Sequence, residues 1–158
     1  MYFNEIINCT TRPRREGEIN GVNYFFITPE EFAEQVLNYE MLEATTFNDW
    51  FYGTSYDALR SNCINIGVFN PDSIRAMDGN PELDITVYRI FCSDKTRLLR
   101  QLNRENNPNV EEIVRRYMAD KEDFCDLEFQ YTIVENNDEE DLDLATHAIM
   151  VDLSLIRD

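Results

Sequence analysis

Glycine is scarce in this 158-residue chain: five residues, at positions 17, 21, 53, 67 and 79. No two of them stand five apart with a lysine after the second. The pattern G-x-x-x-x-G-K-[ST], whose backbone N–H groups cradle the phosphates of a nucleoside triphosphate, therefore occurs nowhere in these residues. On that ground ATP with magnesium is not expected as a cofactor. Histidine is scarcer still: His147 stands alone, in an apolar-periodic stretch that marks it as structural. The four cysteines (Cys9, Cys63, Cys92, Cys125) form no C-x-x-C pair, so a zinc site is not expected and the thiols read as small buried residues of a reducing compartment. Positive charge is also short, with 14 Lys and Arg against 31 Asp and Glu and a net charge of −17. Such an average field repels nucleic acid and acidic membranes. No apolar run reaches the length of a membrane helix, and MYFNEIINC has no signal-peptide pattern. The expectation is a soluble, cytoplasmic protein.

The few basic residues are clustered. Arg12, Arg14 and Arg15 form one group, and Arg97, Arg100, Arg104, Arg115 and Arg116 another. Two local positive sites on an acidic body suit a compact anion. The first lies in TTRPRREGEINGVNYFF, residues 10–26, where Pro13 stiffens a turn between Arg12 and Arg15, followed by Glu18 and Tyr24. Guanidinium forks with a phenol hydroxyl match the oxygens of a phosphate dianion. The plainer alternatives are solvated surface arginines and core tyrosines with wet hydroxyls.

Along the chain, FNEIINCT and VNYFFIT read as strands. T-P-E-E then starts a helix, with Thr28 as cap, proline at the first position and Glu31 completing a capping box. That helix runs to about Tyr39, with Phe32, Val36 and Leu37 on its buried face. MLEATTF and WFYGT read as strands around an Asn48-Asp49 turn, and SYDALRSN as a short helix. CINIGVF and ITVYRIFC are continuously apolar, as expected of parallel strands covered on both faces. Ser93 or Asp94 caps a helix through Asn103, VEEIVRRYMADKEDF is helical, QYTIV is a last core strand, and NNDEEDLD opens a final helix. The expected class is α/β in a single domain.

The segment T-T-R-P-x-R-x-G-E-x-x-G-x-x-Y-x-F resembles the monophosphate-binding part of guanylate kinases, and of the guanylate-kinase-like modules of scaffolding proteins. MLEATTFNDWFYGTS carries the family's leucine-glutamate pair, with a tyrosine-glycine-hydroxyl motif nine residues after the glutamate. The resemblance implies a truncated P-loop-kinase-like parallel sheet with flanking helices, plus a small mixed β subdomain over about residues 10–56 and a lid-like helical segment over about residues 93–122. Arg12, Arg15, Tyr24 and Tyr52 would hold the monophosphate, Glu18 would orient the arginines, and Glu43 with Thr54 would read guanine. One carboxylate can accept both N1–H and N2–H of guanine, a donor pair that adenine lacks. Arg100 and Arg104 share a helical face and, with Arg116, correspond to arginines of the family's lid. Their alternative role is pairing with Glu105, Glu111, Glu112 or Asp120. Trp50 either covers the cleft or packs.

In this resemblance the first strand, phosphate loop and first helix of the kinase have no counterpart, and Asn70 stands where an acid is expected. The expectation is therefore a P-loop-less, non-catalytic protein that binds GMP, dGMP or a related guanine nucleotide, of the trimmed kind that compact viral genomes keep. The alternatives are a phosphoserine- or phosphothreonine-peptide-binding module, or a kinase completed by a partner chain. An uncovered sheet edge would make a homodimer or protein partner plausible.

Overall fold

The computed structural model describes residues 3–104 and 106–155. They form a mixed α/β structure of two compact units, Met1–Leu83 and Asp84–Asp158.

The first unit holds β1 (Phe3–Glu5), β2 (Cys9–Thr10), β3 (Phe25–Phe26), α1 (Pro29–Leu37), β4 (Met41–Phe47), β5 (Trp50–Ser55), a 3-10 turn at Tyr56–Ala58, β6 (Ile64–Ile66) and α2 (Pro71–Met77). The expected FNEIINCT strand is split. Its first part pairs in parallel with β6, and its second joins a four-stranded sheet of order β3-β2-β5-β4. In that sheet β2 runs parallel to β3 and antiparallel to β5. Backbone hydrogen bonds to different partners on either side of Ile7 divide one β-rich run between two sheets.

The β4–β5 hairpin is the longest ladder, closed by the two-residue loop Asn48-Asp49 between the paired Phe47 and Trp50. Both loop residues have positive φ (49° and 64°), as in the primed turns whose twist matches antiparallel strands. Trp50 is 37% exposed, on the rim of the hairpin.

Helix α1 starts as its sequence dictates. Glu31 N–H donates to Thr28 Oγ1 (3.1 Å), and Thr28 N–H donates to Glu31 Oε2 (2.8 Å). Phe32 is buried and stacks on Phe51, with ring centroids 5.3 Å apart. Val36 and Leu37 depart from expectation and are exposed (42% and 77%), because the helix ends within a turn of them and only its first half lies on the sheet. Helix α2 has no counterpart in the apolar pattern. Asn70 caps it by accepting from Ser73 N–H, and Pro71 occupies its first turn.

The second unit contains β7 (Tyr88–Phe91), α3 (Asp94–Leu102), α4 (Val110–Asp123), β8 (Thr132–Glu135) and α5 (Glu139–Asp152). β7 and β8 pair in parallel. Ser93, Asn109 and Asp138 cap the three helices through their side-chain oxygens. Tyr88 hydrogen-bonds Asp152 at the end of α5.

Two expectations change here. The parallel strands are not covered on both faces: Phe3, Ile66, Ile90 and Ile133 are each about half exposed, as members of two-stranded sheets with little packed against them. Of the cysteines only Cys9 is buried, its thiol pushed up to about 11 by burial, while Cys125 is exposed; all four are free. Among the described residues no helix is long and apolar enough to cross a membrane.

Candidate functional site

The arginine loop after β2 is fixed by two threonines. Thr10 Oγ1 donates to Phe51 O (2.9 Å) and accepts from Arg12 N–H (3.1 Å). Thr11 pairs with Phe51 through its N–H (3.0 Å) and its Oγ1 (2.9 Å). The Thr-Thr pair thus ties the start of the loop to β5 and sends Arg12 inward, leaving it 8% exposed. Its guanidinium meets Glu18 bidentately, at 2.8 and 3.1 Å, and donates to Pro13 O (2.8 Å). It also lies 5.6 and 5.7 Å from the ring centroids of Phe26 and Tyr24.

Glu18 accepts in addition from Arg15 N–H (2.7 Å), and the Arg12 pair with this bond holds its carboxyl below the ordinary value. Gly17, at φ +82°, supplies the left-handed turn that brings Glu18 back over the loop. The Glu18 hydrogen bond raises Arg12 further, with a smaller contribution from Tyr52. The Tyr24 and Tyr52 rings meet edge-on, 6.0 Å apart. Arg15 itself is exposed, and among the described residues its guanidinium has no hydrogen bond or ion pair. Arg12 is therefore held by Glu18, whereas among the described residues the Arg15 guanidinium is not.

The meeting of Glu43 with Thr54 depends on a bulge. Met41 pairs with Ser55, yet Glu43 pairs with Thr54, one residue short of regular register. The irregularity at Leu42 rotates Glu43 onto the face that carries Thr54 and Tyr52, while Met41 stays on the face toward Phe32. Gly53 marks the opposite side of this crossing. A Cβ there would lie 2.3 Å from Met41 Cε and 2.8 Å from Glu43 O, so only glycine lets the strands approach.

Glu43 is 5% exposed and Thr54 fully buried. Thr54 Oγ1 lies 2.7 Å from Glu43 Oε1 and 3.1 Å from Asn8 Oδ1. Burial pushes the Glu43 carboxyl up, and the hydroxyls of Thr54 and Ser73 partly counter it. Among the described residues Glu43 Oε2 has no hydrogen-bond partner. An unpaired buried acceptor costs roughly 1–3 kcal/mol, an expense a folded protein keeps where a ligand donor is to come. Asn8 and Ser73 escaped sequence reasoning. Asn8 could have been found as the residue two before Thr10 on an alternating strand, whereas Ser73 carries no local signal.

The second group of arginines belongs to the second unit. Arg100 donates to Asn136 O (2.7 Å) and Asn137 O (3.1 Å), tethering α3 to the turn before α5. Arg115 and Arg116 both pair with Glu112 on their own helix, which brings its carboxyl down to about 2. Arg104 is exposed, and its guanidinium has no partner among the described residues; Glu105 lies outside them. Arg100, Arg104 and Arg116 share no partner with one another. Among the described residues no cluster of His, Cys, Asp or Glu could hold a metal ion.

A mixed α/β chain that buries a carboxylate–hydroxyl pair on the same sheet as a bidentate arginine has the make-up of a nucleotide-binding protein. Residues 1–150 match the guanylate kinase family model, and the chain belongs to that family. It is 30% identical over 144 residues to a guanylate kinase of Campylobacter jejuni (strain RM1221), covering 88% of this chain and 68% of that protein. It is 31% identical over 148 residues to one of Thermotoga maritima, covering 90% and 71%. A shorter match, 52% over 48 residues, spans 30% of this chain and only 16% of the guanylate kinase of Mesoplasma florum. The fold resembles the crystal structure of guanylate kinase from Anaplasma phagocytophilum with a TM-score of 0.66 at 19% identity, covering 96% of this chain and 75% of that one.

Proposed function

We propose that this chain binds GMP, dGMP or a related guanine mononucleotide, and that by itself it does not carry out ordinary ATP-dependent phosphoryl transfer. The observation that carries the reading is the buried Glu43 carboxylate, held by Thr54 through one oxygen and unpaired at the other. Guanine offers N1–H and N2–H together to such a group. Adenine offers no matching pair and would leave the acceptor unsatisfied. Because Oε2 is out of contact with solvent, ligand entry has to part the side chains above it.

At the other end Arg15 supplies a free cation, and Arg12, oriented by Glu18, supplies a second beside the hydroxyls of Tyr24 and Tyr52. Together they suit a phosphate dianion. In the second unit Arg104 is the unengaged member of the lid-like arginines and the one available to a phosphate.

The absence of catalysis rests on two features of these residues. No G-x-x-x-x-G-K-[ST] pattern occurs among them. Asn70, in place of an acid, is used by the backbone of α2 rather than turned to a ligand. Phosphoryl transfer is catalysed almost wholly by positioning and electrostatics, and these residues by themselves offer a site for the acceptor nucleotide but no loop for the β and γ phosphates.

Calorimetric titration with GMP, AMP, ATP and a phosphoserine peptide tests the reading. Micromolar or tighter GMP binding, weaker AMP and negligible ATP are expected. Binding of the peptide without heat from GMP would assign the arginine pocket to phosphopeptides instead. GMP-dependent ADP release by the pure protein would refute the loss of transfer.

A further inference from the structure

Glu43 Oε2 is not the one unsatisfied oxygen in this sheet: Thr45 Oγ1 is also shielded from solvent and has no hydrogen-bond partner. Thr45 lies two residues beyond Glu43 on β4 and directly across from Tyr52. The ladder is regular from Glu43 to Phe47, so Thr45 projects from the same face as Glu43, Thr54 and Tyr52.

The other threonine hydroxyls of that face are engaged, Thr10 with Phe51 O and Thr54 with Glu43. Glu43 and Thr45 therefore stand in line on one face of the strand, their Cα atoms about 6–7 Å apart by the rise of two residues. A valine would fill the volume of Thr45, suit a strand at least as well, and leave nothing unpaired. The hydroxyl is a cost to folding that only an added partner offsets.

We propose that Thr45 is a further ligand contact, donating its hydroxyl to an oxygen of the sugar–phosphate portion of the nucleotide whose base meets Glu43. The proposal rests on the guanine-nucleotide reading and extends it. Thr45 is the next residue along that face from Glu43, on the side of Tyr52. Tyr52, opposite Thr45, meets edge-on the Tyr24 ring that lies beside the Arg12 guanidinium, which places it at the arginine end of the face. Between those two anchors the nearest ligand oxygens are the ribose 2′-hydroxyl and the phosphate. Opening the cover above Glu43 would uncover Thr45 with it, since both lie on one strand face.

Thr45→Val and Thr45→Ser, titrated with GMP, dGMP and guanosine beside the wild-type protein, decide the matter. Thr45→Val should weaken GMP about tenfold, the effect of one hydrogen bond, and Thr45→Ser should stay within about twofold of wild type. A loss seen with GMP and dGMP but not guanosine assigns the contact to the phosphate. A loss seen with GMP and guanosine but not dGMP assigns it to the 2′-hydroxyl. Equal losses for all three ligands, or none, overturn the proposal, the former as a packing effect. Wild-type protein that fails to bind GMP overturns the nucleotide reading itself. GMP binding untouched by Thr45→Val overturns the Thr45 contact alone.

Discussion

Two arginine groups, one in each compact unit, are used in opposite ways. In the first, Arg12 is nearly buried, meets a carboxylate bidentately and lies over two aromatic rings, while Arg15 nearby is left unpaired. In the second, Arg115 and Arg116 are exposed and share the carboxylate of Glu112 one turn back on their own helix. A buried, rigid pair fixes geometry and prepares charge for a ligand. Exposed pairs within a helix are screened by water and contribute little to either stability or recognition. Similar residue types therefore mean different things, and burial separates them.

The sharpest way to test that contrast is Arg15→Ala. Because its guanidinium makes no hydrogen bond or ion pair among the described residues, the variant should melt close to wild type yet lose GMP binding by 100-fold or more, about 3 kcal/mol. A fall in stability of similar size, or unchanged affinity by calorimetry, would place the anion site elsewhere.

Gly53→Ala comes next. Its Cβ would fall 2.8 Å from the backbone oxygen of Glu43 as well as 2.3 Å from the movable Met41 Cε. Forcing the strands apart should cost about 1–3 kcal/mol by denaturant unfolding and weaken GMP through the displaced carboxylate.

Acid titration separates the two glutamates by sign. Glu18 is held below its ordinary 4.5, so its contribution is present above that pH and fades as pH falls below it. Glu43 is held above 4.5, so its charged form opposes folding once pH rises through the raised value. Glu43→Gln should therefore raise stability at neutral pH, and Glu18→Gln should lower it, when melting is followed against pH. GMP affinity should decline as pH drops through the raised Glu43 value.

Arg116→Ala is the smallest expected effect, a change in melting temperature within about 2 °C, since Glu112 keeps Arg115.

Much of this was legible from local chemistry. The capping box announced α1, and Asn48-Asp49 announced the hairpin, because caps and primed turns depend on residues adjacent in the chain. Helix α2 was not read from the sequence, although the Asn70 cap and Pro71 that start it are local signals. The partnership of Arg12 with Glu18 follows from a loop of a few residues. The split of FNEIINCT was not legible, because its residues suit a strand throughout and only distant partners divide them. Nor was the exposure of Val36, Leu37 and Ile90, which depends on how far neighbouring elements reach over them. The bulge at Leu42 was hidden for a similar reason: strict alternation would put Met41 and Glu43 on one face, and only pairing with Ser55 and Thr54 separates them.

The order of residues alone determined which groups were present: guanidinium forks, a carboxylate nine residues before a tyrosine-glycine-threonine, and no triphosphate loop among these residues. Tertiary structure decided which of them are buried, paired or left wanting a partner, since burial and hydrogen bonding are set by strands far apart in the chain. Glu43 shows the difference. Its side chain is written at position 43, but its raised affinity for a proton and its unmet oxygen exist only because β5, β2 and α2 close around it.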